Sequence, residues 1–228
     1  MPTPTISYEL LSRFTPLTNA KSLFLSFEGI EGAGKSTQIN TAFKFLKSLG
    51  YDVLLLREPG GTEFGEQLRS AILTSQKDLH PLSEACLFAS SRAQLLYEVI
   101  LPKLKMDGTA VICDRYIDSS IAYQGYARKL GTQTVLEIHG HYPLTIVPHQ
   151  TFYIKISPQT SIERQKIRNQ KKDYFESKGL AFYESLVKGY EEAARLFPNR
   201  IISINGEQDQ TKVSDELELK LKAITKSE

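Results

Sequence analysis

From Lys21 onward, short runs of consecutive apolar residues alternate with longer segments in which apolar positions recur every three or four residues. The runs read as strands buried on both faces and the periodic segments as amphipathic helices. SLFLSFEG (22–29) is the first strand, GKSTQINTAFKFLKSLG (34–50) a helix closed by Gly50, and YDVLLLRE (51–58) the second strand. Beyond the Pro59-Gly60-Gly61 turn, the pattern predicts a helix from about Glu63 to Leu73 and a longer one from Ser83 to Lys105. TAVICDR (109–115) is the third strand, residues 116–142 are helical in pieces, and QTFYIKIS (150–157), set between Pro148 and Pro158, is the fourth strand. A helix through Tyr190 to Leu196, a fifth strand NRIISING (199–206) and a final helix from about Thr211 complete the chain. Such alternation predicts an α/β fold with a five-stranded parallel sheet and helices on both faces.

Residues 1–20 fall outside this alternation and read as an N-terminal extension, leaving 21–228 as a single domain. The stretch from Thr160 to Lys178, with ERQKIRNQKKDYFESK at its centre, is dense in basic and polar residues and is expected to be a short mobile segment. Hydrophobic residues at 41% and charged residues at 24% suit a soluble domain with a real core. A formal net charge of +2 carries none of the basic excess that tracking a nucleic-acid backbone requires, so polymeric nucleic acid is not an expected partner. No apolar run approaches a membrane span, the N-terminus lacks the layout of a secretory signal, and the two cysteines, Cys86 and Cys113, form no metal or redox spacing. A cytoplasmic setting without membrane contact is expected.

Candidate chemistry starts at the first strand-to-helix junction. Gly29-Ile30-Glu31-Gly32-Ala33-Gly34-Lys35-Ser36, followed by Thr37, fits G-x-x-x-x-G-K-[ST] between a strand and a helix. In such a P-loop, backbone N–H groups turn inward around phosphate oxygens at a helix N-terminus, Lys35 reaches the outer phosphates, and the Ser36 hydroxyl holds Mg²⁺. Asp114, ending the third strand, is placed to deliver a carboxylate to the same metal at the sheet's carboxyl edge. The motif indicates ATP-type triphosphate binding within a P-loop NTPase-type fold, without naming a reaction. Neither an N-K-x-D guanine signature nor a D-x-x-G switch is present, which disfavours a GTPase.

Arg57-Glu58-Pro59-Gly60-Gly61-Thr62 ends the second strand and Asp114-Arg115-Tyr116 the third, so two arginines converge on the edge where ligands of open parallel sheets collect. Phe88 and Arg92, four residues apart, share a helix face, pairing a flat ring with a fork of donors. Taken alone, that pair is better described as a core Phe beside a surface Arg, and Arg57 as an exposed ion pair with Glu58 or Glu63.

In FEGIEGAGKSTQ, REPGGT, LFASSRAQ and DRYIDSSIAYQG, in this order and spacing, the sequence resembles the thymidylate kinases from about Ser22 to the final helix. The resemblance implies phosphoryl transfer from Mg-ATP to dTMP and a homodimer. It places Arg57 and Arg115 on the acceptor phosphate and Glu31 near the sugar 3′-hydroxyl and the metal-bound water. It stacks Phe88 on thymine, bonds Arg92 to a base carbonyl, sets Ser120 and Gln124 near the base edge, and uses Tyr123 to crowd the 2′ position. Gly32 stands where some members carry an arginine, so the resemblance is to the bacterial type that draws transition-state charge from a lid, here about 164–178. Arg164 and Arg168 are its expected catalytic cations, although Asp173-Tyr174-Phe175-Glu176 replaces the more usual D-R-x-E. The competing readings are a kinase for another pyrimidine monophosphate, an ATP-binding regulator without an acceptor, and a nucleic-acid remodeller.

Overall fold

The computed structural model describes residues 6–17, 21–75, 78–168 and 179–225, with the side chain of Arg168 excluded. A short helix α1 (Tyr8–Leu11) precedes β1 (Ser22–Glu28), α2 (Lys35–Ser48), β2 (Asp52–Arg57) and α3 (Glu63–Leu73). Next come α4 (Pro81–Leu95), a π-helical turn Leu96–Ile100, α5 (Leu101–Leu104) and β3 (Thr109–Asp114). The chain continues through α6 (Ile117–Ser120), a second π-helical segment Ile121–Ala127, α7 (Thr132–His139), β4 (Gln150–Lys155) and α8 (Pro158–Arg168). It closes with α9 (Leu180–Leu196), β5 (Ile201–Asn205) and α10 (Gln210–Thr225).

The strands form one five-stranded sheet in the order β2-β3-β1-β4-β5, every pairing parallel. All seven residues of β1 are buried, so the hydrophobic run is continuous because helices cover both faces. Edge strand β2 instead has only half-buried and exposed residues. The chain moves outward from β1 to β2, returns to β3, then crosses to β4, so the connections diverge on either side of β1, where open sheets form a crevice. Register completes the placement: Phe27 and Arg57 both pair with Asp114, which brings the ends of three strands to one row.

Three helices depart from the periodic reading. The expected single helix over 83–105 starts at Pro81, where the His80 side chain caps Leu82, and is interrupted by the π turn at Leu96–Ile100. Pro102 has no N–H and its ring crowds the carbonyl four residues back, which the wider turn relieves; Leu101 N–H bonds Leu96 O. Residues 160–168, expected in the polar mobile segment, lie in α8, while 169–178 are outside the described residues. Helix α9 begins ten residues before the expected Tyr190.

Within α9, Gly189 permits close packing on the second π segment: a Cβ there would sit 2.6 Å from Ala122 Cα and 2.9 Å from Tyr126 Cβ. Gly189→Ala is expected to destabilise the fold by about 1–3 kcal/mol in urea titration. A change under about 0.5 kcal/mol would show that this crossing tolerates a methyl group.

Residues 6–17 pack on the domain. Phe14 is buried edge-on against Phe197, and Thr15 pairs with Ile146 in a parallel bridge. His149 links the two parts, with Nδ1 accepting from Phe24 N–H at 2.8 Å and Nε2 donating to Leu17 O at 2.9 Å.

Candidate active site

The loop after β1 turns on glycines held at positive φ, Gly29 at 141°, Gly32 at 79° and Gly34 at 94°. At Gly29 a Cβ would come within 2.6 Å of Ile154 O, so only glycine lets the loop pass the end of β4. Gly34 caps α2, and Lys35 and Ser36 open that helix. Lys35 is buried, with Nζ donating to Gly29 O at 3.0 Å and Ile30 O at 3.3 Å. Burial and neighbouring Arg115 push its ammonium below the ordinary range, with Glu31, Asp114 and Glu28 opposing.

Arg115 is the centre of the cleft. Its backbone is left-handed at φ 71°, which swings the side chain back from the end of β3 onto the P-loop. One guanidinium nitrogen donates to Gly29 O at 3.1 Å, Tyr190 Oη at 2.8 Å and Ser119 Oγ at 3.3 Å; the other pairs with Glu31. The guanidinium also lies 5.1 Å from the Tyr123 ring centroid.

Behind Arg115 is a residue the motif reading passed over. Glu28, the last residue of β1, is fully buried and accepts from Tyr116 N–H at 2.6 Å, Ser119 Oγ at 2.6 Å and Tyr190 Oη at 3.2 Å. Burial, reinforced by Asp118, raises its carboxyl from 4.5 to about 7. The folded state therefore holds this proton more tightly than the unfolded chain. The stability it contributes is complete below about 4.5 and is lost as pH rises to about 7. Across that window the unfolding free energy of Glu28→Gln is expected to fall less than that of the parent protein, measured by urea titration at successive pH values. Parallel profiles would remove Glu28 as a source of the pH dependence.

The second arginine system is a buried ion pair. Arg92 is 1% exposed; its Nε and Nη2 reach Glu58 Oε2 at 2.7 and 2.5 Å, and Nη1 donates to Ser120 Oγ at 3.1 Å and His139 Nε2 at 2.7 Å. Burial and Arg92 hold His139 down at about 3, so the ring is neutral, with Nδ1–H donating to Val135 O and Nε2 free to accept. Arg92 also lies 4.9 Å from the Tyr116 ring centroid. These contacts use four of its five N–H groups.

One pocket gathers Glu31, Gly32, Gly34, Lys35, Ser36, Arg57, Phe88, Arg92, Asp114, Arg115, Ser120, Tyr123 and Gln124. Phe88 is half-exposed on its wall, whereas Ser120 and Gln124 are buried behind it. Arg57 is largely exposed and bonds Glu66, not Glu58 or Glu63, at 3.3 Å. Asp114 Oδ1 is buried without a hydrogen-bond partner among the described residues, next to the exposed Ser36 in a cleft they share. An orphaned carboxylate oxygen beside a hydroxyl fits a hard cation such as Mg²⁺.

Arg164 sits in α8, not in a loop, with Nη1 donating to Gly32 O and Nη2 to Gly206 O, both at 3.0 Å. Ser161 Oγ, one turn earlier, donates to Glu31 O at 2.6 Å. A Cβ on Gly32 would stand 3.2 Å from Arg164 Cβ, so the glycine also admits this helix against the loop. Arg168 closes α8 with its side chain outside the description, and Lys171, Lys172 and the Asp173–Glu176 stretch lie outside the described residues. The roles of Glu28, Glu58, Ser119, His139 and Tyr190 escaped the sequence reading; Glu28, Glu58 and Ser119 fall inside recognisable motif blocks, His139 and Tyr190 do not.

A parallel sheet with its order reversing beside a glycine-rich loop, a buried lysine, and two inward-facing arginines defines a P-loop α/β nucleotide-binding protein. The chain belongs to the thymidylate kinase family, whose family profile matches residues 27–217. It is 41% identical over 197 residues to a thymidylate kinase of Thermoanaerobacter sp. (strain X514), covering 86% of this chain and 96% of that protein. The corresponding figures are 44% over 186 residues, 82% and 88%, for a thymidylate kinase of Caldanaerobacter subterraneus subsp. tengcongensis. For that of Chlorobaculum tepidum they are 40% over 191 residues, 80% and 89%.

Proposed function

We propose that the protein transfers the γ-phosphoryl group of ATP to the 5′-phosphate of dTMP, giving dTDP and ADP. The observation that carries the reading is the juxtaposition in one pocket of a P-loop with Arg115, which is paired to the loop's own Glu31 and supports a site for a second, acceptor phosphate. A switch protein needs no such acceptor site. An oxygen of the dTMP phosphate attacks the γ-phosphorus, the bond to the β-phosphate oxygen breaks, and ADP leaves with that electron pair. The acceptor is already an anionic nucleophile, so positioning and charge neutralisation supply most of the acceleration.

The P-loop amides from Gly29 to Thr37 hold the ATP phosphates, and Lys35 exchanges its loop carbonyls for phosphate oxygens. Arg57 and Arg115 grip the dTMP phosphate, and Glu31 faces its sugar. Phe88 stacks on the base, the remaining Arg92 N–H meets a base carbonyl, and Tyr123 crowds the 2′ position. Ser36 and Asp114 would hold Mg²⁺, which when bound would supply positive charge to neutralise the phosphates. Arg164 supports the loop from α8, and Arg168 enters the lid at about 164–178 as a transition-state cation. Residues 21–228 act as one catalytic domain, and the enzyme works as a cytoplasmic homodimer. Among the described residues no helix is long and apolar enough to cross a membrane.

The test is ADP release from Mg-ATP with a panel of monophosphates. Turnover is expected with dTMP and is expected to exceed that with dUMP, dCMP and dGMP. ATP consumption that ignores the acceptor would return the protein to the regulator class.

A further inference from the structure

Gln124 is buried behind the pocket, and what holds its amide is a second carboxylate system separate from Arg115. Its Nε2 donates to Glu84 Oε1 at 2.9 Å. Glu84, in the first turn of α4, is fully buried, and Arg128 Nε stands 3.3 Å from its other oxygen. Arg128 is itself tied to the loop before α4, donating to Leu79 O and facing Asp78. With the Arg128 guanidinium at its other oxygen, Glu84 meets the amide as an acceptor, so the Gln124 NH₂ faces Glu84 and its oxygen faces away. Its Oε1 has no hydrogen-bond partner among the described residues, and Gln124 lines the pocket.

We infer that Glu84, backed by Arg128, is a positioning residue that locks Gln124 with its acceptor toward the base and so selects a pyrimidine bearing N3–H. This rests on dTMP as the acceptor. One turn away Ser120 fixes Arg92, whose N–H groups are donors only. The wall thus offers a donor beside an acceptor. Thymine answers with O4 and N3–H, whereas cytosine offers N4–H₂ and a bare N3, which places donor against donor and acceptor against acceptor. A site built on such pairs discriminates strongly, because the wrong base leaves buried groups unpaired.

The experiment compares kcat/KM for dTMP and 5-methyl-dCMP, which keeps the ring methyl and inverts the hydrogen-bonding edge. Glu84→Gln can accept or donate, so the Gln124 amide gains freedom to turn. The preference for dTMP is expected to narrow about tenfold, through a higher KM for dTMP and with kcat held within about threefold. Gln124→Leu is expected to narrow it similarly, and Glu84→Gln added to Gln124→Leu to narrow it no further. An unchanged preference in Glu84→Gln, or equal additional losses in the double variant, would overturn the inference. If Glu84→Gln does not fold, Gln124→Leu alone decides: an unchanged preference overturns it. Failure of the parent protein to use dTMP would instead sink the proposed function, which keeps the two outcomes apart.

Discussion

Arg115→Ala is expected to lower kcat/KM for dTMP by about 10³-fold, measured by steady-state ADP release, with the fold retained. The expectation follows from the number of tasks that meet at one guanidinium. Arg115 fastens the start of the P-loop through Gly29, neutralises Glu31, and faces the pocket in which the acceptor phosphate would lie. Without it, the acceptor loses a phosphate ligand and Glu31 is left to repel incoming anions. Glu31 is partly exposed, so its freed carboxylate can take up water and the global stability cost stays small. Arg115→Lys keeps the charge but not the fork, and should recover only a minor part of the loss. A decline below tenfold for Arg115→Ala would move the acceptor phosphate away from this residue.

The largest stability effect is expected at Arg92. Arg92→Met leaves Glu58 Oε2 without both of its donors and His139 Nε2 without its partner, all of them buried. Breaking a buried pair from one side costs about 3–5 kcal/mol, because the survivor is an uncompensated charge. Urea unfolding should register that loss. Adding Glu58→Gln should restore a substantial share of it, since the penalty belongs to the stranded carboxylate more than to the absent attraction. A single-variant cost under about 1 kcal/mol would mean that water reaches Glu58.

The central strands β1, β3 and β4 were readable because burial on both faces leaves a nearly unbroken apolar run, and the P-loop because its glycines have no substitute. Helix α8 was not readable for a physical reason. Of its apolar side chains Ile162 packs on the core, while Ser161 and Arg164 face inward onto the backbone carbonyls of Glu31, Gly32 and Gly206, so no broad hydrophobic stripe marks the helix. The resemblance could suggest Arg92 as a base contact, but no spacing could reveal that Glu58, thirty-four residues away, would consume two of its donors. Glu28 and Glu84 are hidden likewise: a lone carboxylate in a sequence gives no sign of burial, which is decided by partners far along the chain. Arg57 and Arg115 were legible as charge at strand ends and Arg92 as a fork of donors on a helix face, while the contrast between a loop-facing Arg115 and a walled-in Arg92 needed three dimensions.

The strand order has a last consequence, for how the protein comes into being. The P-loop and Arg115 are separated by 84 residues, and they meet only because β3 inserts between β1 and β2. Closing so long a loop is entropically slow, and neither half of the cleft can grip nucleotide before it happens. A nascent chain is therefore blind to its ligands until the centre of the sheet is assembled. From that moment bound nucleotide favours the completed fold by mass action, so the cell's substrate supply should lengthen the lifetime of finished molecules and do nothing for unfinished ones.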